Sequence, residues 1–154
     1  KKVNVAYIGD PNNVSRPLAI ALSMFGNCLK LSHPAGYDFH TRDILKFESS
    51  NIKIDVCERP FDAAKGADVI YTDAWYSMGQ EDQKEQRSRD FADYQINNKL
   101  MMLANKDAVF MHCLPAHRGL EVTDEVLDGK QSVVWQQAEN RMHTARGLLS
   151  FLCS

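Results

Sequence analysis

The chain has 154 residues, 44% of them hydrophobic and 25% charged, with a formal net charge of −2. That length suits one domain of about 100–200 residues, and the near-neutral balance gives no basic footprint for nucleic acid or an anionic membrane surface. The longest apolar runs, such as Ala108–Met111 and Leu148–Leu152, fall far short of the roughly 18 residues a membrane span needs, and the lysine-led start has no signal-peptide core behind it. The expectation is an intracellular protein, cytoplasmic or, in a eukaryote, of the mitochondrial matrix.

In chain order, short apolar runs predict strands at Val3–Ile8, Cys28–Ser32, Ile52–Val56, Val69–Thr72, Ala108–His112 and Ser132–Trp135. Amphipathic stretches between them predict helices near Asn13–Phe25, Thr41–Ser50, Pro60–Lys65, Asp90–Leu103, Thr123–Leu127 and Ala138–Leu152. Strand-length apolar runs alternating with helical periodicity are the pattern of βα units. The fold class is therefore α/β: a Rossmann-like doubly wound parallel sheet of five or six strands, with helices on both faces. Such sheets bind ligands outside the carboxyl ends of their strands, where strand order reverses. The loops Gly9–Asn13, Asp73–Gly79, Cys113–Gly119 and Gln136–Arg141 are the places to look for chemistry.

The first loop follows a strand and opens a helix, but it has only Gly9 where a dinucleotide fingerprint needs three glycines. This disfavours a nicotinamide-dependent dehydrogenase. Asn12 or Asn13 either caps the helix or offers an amide to a ligand. In the second loop, Asp73, Ser77, Met78 and Gly79 suit a small cationic ligand, since a carboxylate pairs with an ammonium. Alternatively, Ser77 caps the next helix while Trp75 and Met78 fill core.

The third loop runs His112-Cys113-Leu114-Pro115-Ala116-His117-Arg118-Gly119. Nearby positive charge from His117 and Arg118 would make Cys113 a more acidic thiol, whereas an isolated buried cysteine is most often an inert small hydrophobe. His112 and Cys113 point to opposite sides on extended backbone and need not act together. Pro115 restrains Leu114 and favours an unusual turn. No ligand cluster beyond His112, Cys113 and His117 supports a metal, so none is expected. The four cysteines, Cys28, Cys57, Cys113 and Cys153, are scattered singly, which fits free thiols. In the fourth loop, Arg141 is placed in the first turn of the last helix. That position is explained by an anion or polarised carbonyl opposite it, or by a salt bridge with Glu139 or Glu125.

Together Gly9-Asp10-Pro11-Asn12-Asn13, Asp73-Ala74-Trp75-Tyr76-Ser77-Met78-Gly79, His112-Cys113-Leu114-Pro115 and Ala138-Glu139-Asn140-Arg141 resemble the ornithine carbamoyltransferases over essentially the whole chain. The cysteine after His112 and the Ser-Met-Gly loop favour ornithine over aspartate. The resemblance implies that Asn13, Asp73, Ser77 and Met78 hold the α-amino acid end of L-ornithine. It places Cys113 and Leu114 against the δ-amino group and the carbamoyl moiety, with Cys113 accepting a proton or orienting the amine, and Arg141 on the carbamoyl carbonyl. His112 and Pro115 are expected to be supporting residues of the site.

The reaction implied is carbamoyl transfer from carbamoyl phosphate to ornithine, giving citrulline and phosphate without a cofactor. The family's Ser-x-Arg-Thr-Arg phosphate grip is missing from this sequence. Residues 1–154 are thus expected to be the carboxy-terminal, ornithine-binding domain, without the amino-terminal carbamoyl-phosphate domain, and to be inactive alone. Full-length relatives are expected to be homotrimers, and the last helix to leave Leu148, Leu149, Phe151 and Leu152 exposed when the first domain is not there. The rival readings are a carbamoyltransferase for another amine, such as putrescine, and a non-catalytic Rossmann-like assembly module.

Overall fold

The computed structural model describes residues 2–76 and 79–154, with the backbone alone for Glu81. Five parallel strands, β1 (Val5–Ile8), β2 (Leu29–Ser32), β3 (Ile54–Val56), β4 (Val69–Thr72) and β5 (Val109–His112), lie in the order β3-β2-β1-β4-β5. Each pair is in register over three or four residues, as in Val5 opposite both Leu29 and Val69. Between and after the strands lie α1 (Ser15–Met24), α2 (Thr41–Ser49), α3 (Pro60–Ala64), α4 (Lys84–Asp90), α5 (Asn98–Met101), α6 (Asp124–Leu127) and α7 (Val134–Cys153).

The central strand β1 is buried at all four positions, which is why it reads as a continuous apolar run rather than an alternating one. Alternation still sends its side chains to opposite faces. Val5 and Tyr7 join Ala19, Leu29, Leu31 and Phe47 on one face; Ala6 and Ile8 join Ile70, Ile96, Phe110 and Val122 on the other. Burying a side chain such as that of Phe110 contributes about 1.5–3 kcal/mol of transfer free energy.

Two expectations are corrected. Ser132–Trp135 is not a sixth strand: Ser132 makes a single bridge to Phe110, and α7 already begins at Val134. The apolar run is explained by Val134, fully buried at the helix start. The helix expected over Asp90–Leu103 is broken. Ile96 instead bridges Val122, donating to Glu121 O at 2.9 Å and accepting from Thr123 N at 3.0 Å, and the Asn97 side chain then caps α5 by accepting from Leu100 N at 3.1 Å. A buried extended contact and a capping side chain outweigh the helical pattern here. Among the described residues no helix is long and apolar enough to cross a membrane.

Candidate functional site

Strand order reverses between β1 and β4, so the loops that leave these strands flank the crevice where doubly wound sheets hold ligands. Gly9 turns the chain away from β1 at φ +145, a conformation L side chains rarely adopt; a Cβ there would also meet Thr72 Oγ1 at 3.1 Å. The buried Asn12 then spans the crevice. Its Oδ1 accepts from Val14 N at 2.8 Å and Ser15 N at 3.3 Å, capping α1, while its Nδ2 donates to Asp73 Oδ2 at 2.8 Å. The Asn12 side-chain carbonyl oxygen is thus turned to the start of α1 and its amide to Asp73, while Asn13 stands exposed beside it.

Asp73, at the carboxyl end of β4, is the hub. Its Oδ1 accepts from Cys113 Sγ at 2.9 Å and from Ala74 N at 2.8 Å. The positive charge expected beside Cys113 is absent: Arg118 is held by Asp124 and Asp128, each at 2.6 Å, and the His117 ring stacks on Tyr76 at 4.8 Å. Burial, then the hydrogen bond to Asp73 and that carboxylate's charge, push the Cys113 thiol up to about 12, against a smaller opposing effect of Arg141. The expectation of an acidified thiol is thus corrected; at neutral pH Cys113 is a hydrogen-bond donor, not a thiolate.

His112 and Cys113 do face different partners. Leu114, at φ +57, precedes a cis Pro115, and its N–H donates to His112 Nδ1 at 2.9 Å. An Nδ1 that accepts carries no proton, so the proton sits on Nε2, which faces Glu121 Oε1 at 3.2 Å. His112 and Glu121 are both completely buried. Glu121 Oε1 also accepts from His117 N.

Arg141 is not in the first turn of its helix, because α7 starts seven residues earlier, at Val134; an unfavourable helix dipole therefore does not explain its placement. The salt bridge to Glu139 does not form either, since Glu139 faces His143 at 3.4 Å. One turn before Arg141, Gln137 ties α7 to the sheet, accepting from His112 N at 3.1 Å and donating to Tyr71 OH at 2.8 Å. The exposed Arg141 is near enough to Cys113 and Tyr71 for its charge to oppose the effect of burial on both. Burial, followed by the effect of the Cys113 charge, raises Tyr71 to about 12.

The loop after β4 is pinned by Arg87 of α4, which is 8% exposed. Its Nη1 lies 3.1 Å from Asp10 Oδ2 and donates to Trp75 O at 2.8 Å, and its guanidinium sits 5.0 Å from the Tyr37 ring centroid. Burial raises the Asp10 carboxyl above its ordinary value, opposed by Arg87. Trp75, buried, stacks on Phe91 at 5.9 Å.

The structure thus brings Asp73, His112, Cys113, Leu114 and Pro115 together, with Arg141 in electrostatic range. Ser77 and Met78 lie outside the described residues. Asp73, His112 and Cys113 place one potential metal-ligand atom each within 4.8 Å of one another. However, both ring nitrogens of His112 and the Cys113 proton are already engaged, which leaves a poor donor set. A concavity of about 820 Å³ between α1 and α2, lined by Arg16, Ile20, Asp43 and Phe47 among others, takes none of its lining from these loops. We assign the site by convergent chemistry rather than by volume. Sequence reasoning missed Glu121, Gln137, Tyr71 and Arg87; of these, only Gln137 lay in a loop it had marked for inspection.

The sequence profile of the aspartate/ornithine carbamoyltransferase Asp/Orn binding domain matches residues 1–152. The chain belongs to this family. It is 44% identical over 158 residues to the ornithine carbamoyltransferase of Caldicellulosiruptor saccharolyticus, covering 99% of this chain and 51% of the relative. The Nitrosococcus oceani ornithine carbamoyltransferase is 48% identical over 148 residues, covering 96% and 48%. Among solved structures, the ornithine carbamoyltransferase of Pyrococcus furiosus superposes with a TM-score of 0.86 at 45% identity, covering 97% of this chain and 49% of that one. The anabolic enzyme of Campylobacter jejuni gives 0.88 at 36%, covering 98% and 51%. The chain therefore spans about half the length of these relatives.

Proposed function

We propose that this domain is the ornithine-binding half of an ornithine carbamoyltransferase, acting with a carbamoyl-phosphate-binding half to convert L-ornithine and carbamoyl phosphate to L-citrulline and phosphate. The observation that carries this reading is the convergence of Asn12, Asp73 and Cys113 at the carboxyl ends of β1, β4 and β5, in a chain whose relatives carry that name.

Asp73 supplies the anion for an amino acid's ammonium, with Asn13, Ser77 and Met78 completing the grip on the α-amino acid end. The neutral Cys113 thiol, held toward Asp73, orients the δ-amine rather than accepting its proton. As the neutral amine attacks the carbamoyl carbon and the bond to phosphate breaks, the proton the amine loses leaves with the phosphate, and Arg141 stabilises the charge that grows on the carbamoyl oxygen. No cofactor enters. Holding both substrates in one site makes the attack effectively unimolecular, so the domain alone forms no citrulline. The assembled enzyme is proposed to be a homotrimer.

Trp75 gives a direct test. In a Trp135→Phe background, which removes the exposed second tryptophan, L-ornithine should change Trp75 fluorescence saturably, and Asp73→Asn should abolish the response. A flat titration in folded protein would exclude ornithine binding by this domain alone and favour an assembly module.

A further inference from the structure

The proposed function gives no role to one fully buried carboxylate, Glu121. Glu121 is 0% exposed, and among the described residues no Lys or Arg pairs with it. Burying a carboxylate is costly unless its hydrogen bonds are well chosen. Its bonds all lead to one short segment: Oε1 takes His112 Nε2 at 3.2 Å and the His117 N–H, while Oε2 lies 3.6 Å from His117 Nδ1. His112 passes the connection on, because its Nδ1 is the acceptor for Leu114 N at 2.9 Å. Leu114 needs that bond. Its φ of +57 is sparsely populated for a leucine, and its neighbour Cys113 presents the thiol to Asp73.

We infer that Glu121 is a positioning residue for carbamoyl transfer: through His112 it holds Leu114 in its left-handed turn and so sets the Cys113–Leu114 segment against the reacting amine. The inference rests on the functional reading above. A carboxylate on the Nε2–H shifts electron density toward Nδ1 and strengthens it as an acceptor, as carboxylates do for metal-bound histidines. Glu121 touches no substrate. His117, stacked on Tyr76, ties the same carboxylate to the loop that follows Asp73.

Amide hydrogen exchange on the ¹⁵N-labelled chain reads the Leu114 bond directly. In Glu121→Gln, which keeps the shape and removes the charge, Leu114 should exchange about tenfold faster while Ala6 and Ile70 in the sheet keep their rates. In the enzyme completed by an amino-terminal half, kcat should fall about 10- to 100-fold, with KM for ornithine moving less than about threefold. His112→Asn puts an amide oxygen near the place of Nδ1 and cuts the link to Glu121. Adding Glu121→Gln to it should change neither readout further.

Unaltered kcat in a folded Glu121→Gln enzyme, or additive losses in the double variant, would overturn the inference. A wild-type completed enzyme that makes no citrulline would instead overturn the functional reading. Leu114 exchange would then still decide whether Glu121 holds the turn, since an unchanged rate refutes it on its own.

Discussion

The carboxyl edge of β1, β4 and β5 and the outer face of α7 invert the usual rule of burial in opposite ways. At the first, Asn12, His112 and Glu121 are buried polar groups tied to one another or to Asp73 and the Leu114 turn. At the second, Met142, Leu148, Leu149, Phe151 and Leu152 are apolar and at least half exposed, and Val134 is the helix's single buried residue. The contrast separates two kinds of contribution. The polar edge fixes the positions of side chains and of the Leu114 turn, whereas the apolar face of α7 adds little to this domain's own core and has the composition of a contact surface.

The largest test of that separation is in the sheet core. Phe110→Ala should cost about 3–5 kcal/mol in denaturant unfolding, because a large ring is lost from a site with no access to water. Arg141→Ala should do the reverse: unfolding hardly shifts, while kcat in the completed enzyme falls about 100- to 1000-fold as the carbamoyl oxygen loses its charge partner. Arg87→Gln should loosen the loop after β4 and raise the KM for ornithine about tenfold with a smaller change in kcat, measured by steady-state kinetics.

Cys113 sharpens the polar side of the comparison. Its ionisation lies at about 12, so iodoacetamide should label the exposed Cys28 and Cys153 well before it, and its own rate should keep climbing with pH beyond about pH 10. Asp73→Asn removes the carboxylate that helps hold the proton, and peptide mapping should then show faster Cys113 labelling at a given pH. The smallest effect belongs to α7: Leu149→Ala should change stability by less than about 0.5 kcal/mol, since the side chain is 62% exposed.

Much of this arrangement was legible in the residues. The alternation of short apolar runs with amphipathic stretches is enough for a doubly wound sheet, and the loops after its strands hold Asp73 and Cys113. What could not be read was governed by tertiary contact. Whether Asn12 or Asn13 turned inward depended on the chain's path after Gly9. The charge expected to acidify Cys113 was drawn away because Arg118 reaches Asp124 and Asp128 across a turn. Ser132–Trp135 looked like a strand because Val134 is buried, though it is buried as the start of a helix. Glu121 sits among charged and loop-like neighbours in the sequence, and only the fold closes it over His112.

The most direct test of the central claim is to join this chain to the amino-terminal half of the Pyrococcus furiosus ornithine carbamoyltransferase and assay citrulline formation from ornithine and carbamoyl phosphate. The account predicts turnover in the joined protein, none from this chain alone, and loss of turnover with Arg141→Ala. A folded, assembled chimera that binds carbamoyl phosphate yet forms no citrulline would contradict it.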